Sequence, residues 1–109
     1  MSEVILSSSN FEQEVINSST PVLVDFWATW CGPCKKMGAI LENQIVPKME
    51  EAGVKVFKVN IEDEPGLAAR FEVLSIPTLV VFKDGEPVAR MEGVQEPQDV
   101  IGEVGKVER

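Results

Sequence analysis

The feature that most limits how this chain can fold is the run PVLVDFW at residues 21–27, which is apolar at every position except Asp25. A strand with one face in water alternates apolar and polar residues, whereas a continuous apolar run is typical of a strand that is covered on both faces. We therefore predict that residues 21–27 form a central strand of a sheet that lies between two layers of helices.

Strand-like segments recur along the rest of the chain. The segment VKVFKVNI at 54–61 alternates as a strand does, and EVIL at 3–6 is a short candidate strand. Nearer the C-terminus, PTLVVFK and EPVARME flank Asp84 and Gly85. An Asp-Gly pair between two strand-like runs is a strong signal for a β-hairpin, so we expect an antiparallel pair at one edge of the sheet.

Helix signals separate the predicted strands. Glu12 follows Ser9 by three residues, which fits a capping box and predicts a helix to about residue 17, and Pro65 marks the start of another. Two further helices have apolar residues at helical spacing; their predicted inward-facing residues are Met37, Ile40, Leu41 and Ile45 after Cys34, and Val100, Ile101 and Val104 at the C-terminus. The order β-α-β-α-β-α-β-β-α predicts a three-layer α/β/α domain with a mixed sheet of five strands and four flanking helices.

The composition limits the partners and the location of the protein. A chain of 109 residues has the size of one domain, which we assign to residues 1–109. The 18 acidic and 10 basic residues give a net charge of −8, which argues against a nucleic-acid surface. No apolar run approaches the ~18 residues that suggest a membrane span, and the N-terminus does not resemble a secretory signal. We expect a cytoplasmic protein; a secreted form whose signal has been removed is the alternative.

Cys31 and Cys34 are the only cysteines in the sequence, and Gly32 and Pro33 separate them. At the start of a helix, residues three apart are neighbours with Cα atoms about 5–6 Å apart, a separation that a disulfide can bridge. Cys31 would lie at the helix N-terminus, where unpaired backbone N–H groups and the helix dipole favour a thiolate. Cys34 would be more buried and keep its proton. The pattern predicts a redox pair with Cys31 as the nucleophile and Cys34 as the resolving thiol.

Two other uses of a Cys-x-x-Cys pair stay open. A structural zinc site needs four ligands, usually Cys and His. This chain has two cysteines and no histidine, so we predict no metal site within one chain, and a zinc ion would have to be shared between two chains. A purely structural disulfide is the second alternative, although one that closes so small a loop would stabilise the fold little.

Several segments of the sequence resemble the thioredoxin family, in the order in which that family has them. They are VDFWATWCGPCK, KVNIE, SIPTLVVFKDGE and EGV. The resemblance covers essentially the whole chain, and Trp-Cys-Gly-Pro-Cys followed by a correctly spaced SIPT is highly specific. It implies the thioredoxin fold and the activity of a protein-disulfide reductase, a thiol–disulfide oxidoreductase that carries electrons and binds no cofactor besides its own cysteine pair.

Asp25 is the one charged residue of the predicted central strand. A buried carboxylate is costly when ionised, so burial should raise its pKa. The resemblance implies that Asp25 helps to move the proton of Cys34, and that Lys58 lies near this acid and offsets part of its burial cost. The alternatives are an Asp25 side chain that reaches solvent at a strand end, and a Lys58 whose amine stays in water. Trp27, in the same strand as Asp25, is expected in the core.

The resemblance also implies a surface for protein substrates beside the cysteines. Pro77 matches the family's cis-proline, and together with Ile76 it would offer backbone groups to an extended substrate chain. Trp30 would be a partly exposed contact for substrates. Gly93 and Val94 match a loop that lies beside the sulfur atoms in relatives, with an ordinary turn as the alternative.

The residues between the cysteines bear on the direction of electron flow. Gly32 and Pro33 provide no positive charge that would stabilise the thiolate and so make the pair an oxidant. The resemblance implies a reductant of protein disulfides, with a flavin-containing thioredoxin reductase as its electron donor. The net charge of −8 suits a monomer that resists self-association. A binding or chaperone-like subunit with a secondary redox role is the main alternative, and an oxidase or isomerase in an oxidising compartment is a weaker one.

The helix after Cys34 departs from the family pattern. Relatives usually carry a proline in the middle of this helix, where the chain has Gly38 and Ala39. Pro47 comes later, and we expect it to interrupt the helix because it lacks a backbone donor and clashes one turn back.

Overall fold

The computed structural model describes the backbone of residues 3–5 and 10–108 and the side chains of residues 10–108. In this part of the chain, five strands form one sheet in the order β1-β3-β2-β4-β5. The strands are β1 (Glu3–Ile5), β2 (Val22–Trp27), β3 (Lys55–Asn60), β4 (Thr78–Lys83) and β5 (Glu86–Glu92). Strands β1, β3 and β2 are parallel, whereas β4 is antiparallel to β2 and to β5. The predicted mixed sheet is confirmed.

Helices cover both faces of this sheet. They are α1 (Glu12–Ile16), α2, which consists of the consecutive segments Gly32–Ile40, Leu41–Ile45 and Val46–Ala52, α3 (Pro65–Arg70) and α4 (Pro97–Glu108). The predicted order of strands and helices is confirmed. Ser9 of the predicted capping box and residue 6 of the first predicted strand lie outside the described residues. No helix in the described part of the chain is long and apolar enough to cross a membrane.

The two faces of the sheet have separate cores, because neighbouring residues of a strand point to opposite faces. On one face, Leu23 packs with α2 and α4, and we call this the α2 face. On the other, the α1 face, Val22, Val24 and Phe26 pack with α1 and α3. The residues predicted to face inward from α2 and α4 all belong to the core of the α2 face, with Ile40 and Ile101 only partly buried.

The regular α-helical pattern is interrupted immediately before Pro47, as predicted, but the chain stays helical through Pro47 to Ala52. The segment Leu41–Ile45 forms a wider turn, in which the Val46 N–H donates to the Leu41 carbonyl, five residues back instead of four. In a regular helix, the carbonyl four residues before Pro47 would have no N–H donor, and the proline ring would clash with that carbonyl. The wider turn immediately before Pro47 relieves both problems, and the helix ends at Ala52, followed by Gly53 with a φ of 75°.

Strands β4 and β5 form the predicted hairpin. Asp84 and Gly85 both have positive φ, 52° and 80°, as a two-residue hairpin turn requires. Within the hairpin the pairing shifts by one residue, because Val81 faces Ala89 while Phe82 faces Pro87. The shift is a β-bulge, which increases the local twist of this edge strand.

Candidate active site

The two cysteines lie at the N-terminus of α2 and form a disulfide. Their Cα atoms are 5.2 Å apart, in the range predicted from their spacing. Cys31 immediately precedes the helix, and its sulfur accepts the backbone N–H of Cys34 at 3.1 Å. Pro33 lies in the first turn of the helix, where its missing N–H leaves no bond unmade. The helix N-terminus therefore directs a backbone donor at the sulfur that we predict to be the nucleophile.

Both cysteine side chains are buried in the disulfide form, with 6% of Cys31 and 3% of Cys34 exposed. The predicted difference in exposure has the expected direction but is small. The disulfide lies in a small apolar cluster whose other members are Ala28, Trp27, Ile61 and Ile76.

Asp25 lies under α2, because it shares one face of β2 with Leu23. Its side chain is fully buried, and neither carboxyl oxygen has a hydrogen-bond partner among the described residues. Burial raises the pKa of Asp25 from 3.8 to about 7, although the positive charge of Lys58 acts in the opposite direction. The alternative in which Asp25 reaches solvent is wrong. A carboxyl group with this pKa can both accept and release a proton near neutral pH.

Lys58 is the residue of β3 directly opposite Asp25, so its position near the acid agrees with the prediction. Its amine lies 4.7 Å from the centroid of the Trp27 ring. Trp27 is only partly buried and packs against the cysteine cluster, so it lies at the border of the core. A Cβ added to Gly38 would stand 3.6 Å from the Lys58 amine. Helix α2 therefore passes directly over this lysine.

The Ile76–Pro77 peptide bond is cis, as predicted. The Ile76 carbonyl oxygen lies 4.0 Å from the Cys31 sulfur. The Pro77 carbonyl accepts the N–H of Gly93 at 2.8 Å, and the φ of Gly93 is 84°, a backbone conformation that favours glycine. The segments that carry the cysteines, the cis-proline and Gly93 thus meet at one place, with Trp30 and Val94 exposed beside it.

Three contacts at this site involve residues to which the sequence assigned no role there. Ile61 packs against the disulfide. The carboxylate of Glu62 accepts the backbone N–H of Thr29 at 3.2 Å and its hydroxyl at 2.8 Å. The Met37 sulfur accepts the backbone N–H of Gln95 at 3.2 Å, which joins α2 to the Gly93 loop.

Sequence signals for these contacts were weak. Ile61 and Glu62 lie in the KVNIE segment that resembles the family, but nothing there indicates which partner each would meet. Met37 was predicted only as a core residue, and a sulfur acceptor cannot be distinguished from an apolar filler by helical spacing.

The site combines a disulfide at the start of α2 with a buried carboxyl group, that of Asp25, under the same helix. Within the described residues, no three His, Cys, Asp or Glu side chains come together as a metal site would require. The disulfide is present, and its opening and closing transfers two electrons by exchange with another disulfide.

The sequence is similar to known thioredoxins along most of its length. The thioredoxin family model matches residues 2–106. Thioredoxin of Staphylococcus haemolyticus (strain JCSC1435) is 44% identical over 104 residues, 95% of either chain. Thioredoxin of Mycolicibacterium smegmatis is 45% identical over 92 residues, 84% of this chain and 82% of that one.

A solved structure supports the same relationship. Malassezia sympodialis thioredoxin (Mala s 13) superposes with a TM-score of 0.82 at 29% identity, over 100% of this chain and 92% of the other. Thioredoxins are thiol–disulfide oxidoreductases, and the Cys31–Cys34 pair is the redox centre that such an activity needs. The chain therefore belongs to the thioredoxin family and is a protein-disulfide reductase.

Proposed function

We propose that the protein reduces disulfides of other proteins in two exchange steps, with Cys31 as the nucleophile and Cys34 as the resolving thiol. The observation that carries this proposal is the position of the Cys31 sulfur, which accepts the Cys34 N–H at 3.1 Å at the start of α2. After the disulfide opens, this donor and the helix dipole should favour a thiolate on Cys31. Cys34 lies inside the first turn, and among the described residues no backbone N–H donates to its sulfur.

In the first step, the Cys31 thiolate attacks one sulfur of a substrate disulfide. A bond forms between the Cys31 sulfur and the substrate sulfur that it attacks, and the substrate disulfide breaks. The second substrate sulfur leaves as a thiolate and takes up a proton. The product is a mixed disulfide between Cys31 and the substrate.

In the second step, the Cys34 thiol gives its proton to the Asp25 carboxylate and attacks the Cys31 sulfur. The mixed disulfide breaks, the substrate sulfur leaves as a thiolate, and the proton held by Asp25 can neutralise it. Asp25 suits this role because its pKa of about 7 leaves it partly ionised at neutral pH. Lys58 lowers the pKa of Asp25 and so keeps more of it in the basic form.

The groups around the disulfide would hold an extended substrate chain. Ile76, which precedes the cis-Pro77, presents its backbone carbonyl next to the Cys31 sulfur, and backbone groups of this kind bind an added strand. Trp30 and Val94 present apolar surface. Gly93 would let a substrate approach the backbone of its loop closely, since it has no side chain to obstruct the substrate.

We further propose a single domain over residues 1–109 that works as a monomer in the cytoplasm. Its partners would be proteins with accessible disulfides and a flavin-containing thioredoxin reductase that restores the dithiol. Membership of the thioredoxin family supports these assignments. The net charge of −8 supports a protein that resists self-association, and the uncharged Gly32–Pro33 pair supports a reductant over an oxidant.

Insulin reduction with dithiothreitol as the electron source tests the two cysteine roles. Cys31→Ser should lower the rate to that of dithiothreitol alone, because no nucleophile reaches the substrate. Cys34→Ser should form a stable mixed disulfide with its substrate, visible by mass spectrometry under non-reducing conditions. The double variant is the control and should capture nothing. A Cys31→Ser variant as fast as the parent would show that the assignment of the nucleophile is wrong.

A further inference from the structure

Three of the four large apolar side chains that are exposed in the described part of the chain belong to segments beside the disulfide. The four are Trp30 (68% exposed), Leu74 (93%), Val88 (49%) and Val94 (40%). Trp30 precedes Cys31. Val94 follows Gly93, whose N–H donates a hydrogen bond to the carbonyl of the cis-proline. We call Trp30, Leu74 and Val94 the apolar rim. Val88 lies at the bulge of β5 near the hairpin turn, far from the cysteines.

Leu74 is the most exposed member of the rim, and the exchange reaction does not use it. It precedes Ile76 by two residues, and the Ile76 carbonyl lies 4.0 Å from the Cys31 sulfur. Two residues of chain span at most about 7 Å. A substrate bound at Ile76 would therefore pass within reach of the Leu74 side chain.

The loop at residues 71–76, which carries Leu74, is held at both ends. The Arg90 guanidinium donates to the carbonyls of the first two loop residues, Phe71 and Glu72. At the other end, the Thr78 hydroxyl donates to the Ser75 carbonyl at 2.6 Å. A nearly fully exposed leucine adds little to the stability of the fold, and a fixed loop presents it to a partner with little loss of entropy on binding.

Carboxylates border the apolar rim. Every charged residue within two positions of a rim residue along the chain is acidic, and these are Glu72, Glu92 and Glu96. Glu62 joins them, because its carboxylate is bonded to Thr29, next to Trp30. The cations nearest along the chain are Arg70 and Arg90, four residues before Leu74 and Val94. Arg70 pairs with the Glu12 carboxylate, and Arg90 is hydrogen-bonded to the carbonyls of the loop. A basic partner segment therefore complements the border of the rim.

We propose that Leu74 is a substrate-contacting residue that favours protein disulfides with an aliphatic side chain near the attacked cysteine and basic residues around it. Arg90 is its positioning residue, because it holds the loop that presents Leu74. This inference rests on the proposed function, in which Cys31 attacks a bound polypeptide. It adds the class of substrate that the site selects.

Four synthetic peptides, each with one intramolecular disulfide, test the proposal. The residue beside the attacked cysteine is Leu or Gly, and the flanking residues are Lys or Glu. Pre-reduced protein is mixed with excess peptide and the second-order rate constant is measured. The parent should reduce Leu peptides about fivefold faster than Gly peptides, since leucine adds apolar contact area. Lys peptides should react faster than Glu peptides, by a ratio that shrinks as salt is added.

Leu74→Ala should remove most of the preference for Leu over Gly while the preference for Lys over Glu persists. Val88→Ala is the matched control, because it also removes exposed apolar surface, but away from the site; it should retain both preferences. Arg90→Ala should lower the Leu-over-Gly ratio about twofold or more, and Arg90→Lys should lower it less, since lysine can keep one of the two contacts. A ratio between peptides is unaffected by a general loss of stability.

The outcomes separate this proposal from the function on which it rests. Equal rates for Leu and Gly peptides, or a preference that Leu74→Ala leaves intact, would overturn the role of Leu74 while disulfide reduction stands. Equal rates for Lys and Glu peptides at low salt would overturn the assignment of basic substrates. If the pre-reduced parent reduces none of the peptides, the proposed function and this inference both fail.

Discussion

The two faces of strand β2 bury very different residues, although they belong to the same six-residue segment. On the α1 face, Val22, Val24 and Phe26 lie in an apolar core. On the α2 face, Leu23 lies in an apolar core, but the next two residues on that face are the buried Asp25 and the partly buried Trp27, which packs against the cysteine cluster.

The difference shows how one strand can serve stability and chemistry at once. The α1 face contains a group of three rings, Phe11, Phe71 and Phe82, with centroids 5.0 to 5.8 Å apart. The α2 face contains a buried carboxyl group whose burial opposes its ionisation and raises its pKa. Side-chain alternation places the destabilising group on the face that is covered by the cysteine-bearing helix and leaves the opposite core undisturbed.

The largest expected effect is on the α1 face. Phe82→Ala should destabilise the protein by about 4 kcal/mol, because it removes a buried ring and leaves a cavity among its neighbours. Urea unfolding measures this loss. The rate of insulin reduction per folded molecule should stay that of the parent, since Phe82 contacts neither the cysteines nor Asp25; a slower rate would mean that the two faces are not independent.

A second prediction concerns the α2 face, where replacing Asp25 by a neutral residue should stabilise the protein instead of destabilising it. The folded protein holds the Asp25 proton to about pH 7, whereas the unfolded chain releases it near 3.8. Unfolding therefore releases a proton between these values, and stability falls as pH rises. Relative to Asp25→Asn, the parent should lose about 3 kcal/mol between pH 5 and pH 8.

Urea unfolding at several pH values tests the effect of Asp25. Asp63→Asn is the control, because Asp63 is exposed, and its pH dependence should follow that of the parent. Parallel pH profiles for Asp25→Asn and the parent would contradict the raised pKa. Asp25→Asn should also slow the second exchange step at neutral pH, because Cys34 loses its proton acceptor.

A third and smaller effect should separate two lysines of strand β3. Lys58→Met removes the charge that lowers the pKa of Asp25, so this pKa should rise above 7. Resolution of the mixed disulfide should slow severalfold at pH 7 and recover at higher pH. Lys55 is the control, since it lies on the α1 face and its amine is 4.0 Å from the Glu14 carboxylate. Carboxyl NMR titration of Asp25 should show no change in Lys55→Met.

The smallest effect should distinguish two glycines with similar backbones. Gly93 and Gly53 have φ of 84° and 75°, and a Cβ at either would meet nothing within 4 Å. Replacing either by alanine should cost about 1 kcal/mol of stability, because of the left-handed conformation. Only Gly93→Ala should also raise the KM for protein substrates, since only Gly93 borders the disulfide. Equal KM values for the two variants would remove Gly93 from the substrate surface.

Features set by local chemistry could be predicted from the sequence. The Asp84–Gly85 turn follows from residues that tolerate positive φ, and the central position of β2 follows from its unbroken apolar run. The position of the thiols follows from their spacing at a helix start. The same apolar run predicts the burial of Asp25, because a side chain on a strand that is covered on both faces cannot reach water.

Features that depend on packing between distant segments could not be predicted. The bond from Arg90 to the loop at 71–76 requires knowing how β5 lies against that loop. Helix α2 continues past Pro47 because Ile45, Val46 and Met49 all reach the core of the α2 face. Their burial outweighs the local preference of proline to end a helix, and single-residue propensity does not contain that information.

The wide turn of α2 has a consequence for how this helix can vary among related proteins. Its buried residues recur every four positions, at Met37, Leu41, Ile45 and Met49. In a regular α-helix, four residues rotate by about 400°, so such a stripe drifts around the axis by about 40° at each repeat. A turn that takes up extra residues reverses this drift. We therefore expect a change of length to be accommodated at Leu41–Ile45 more readily than elsewhere in α2, with the thiol-bearing end left in place.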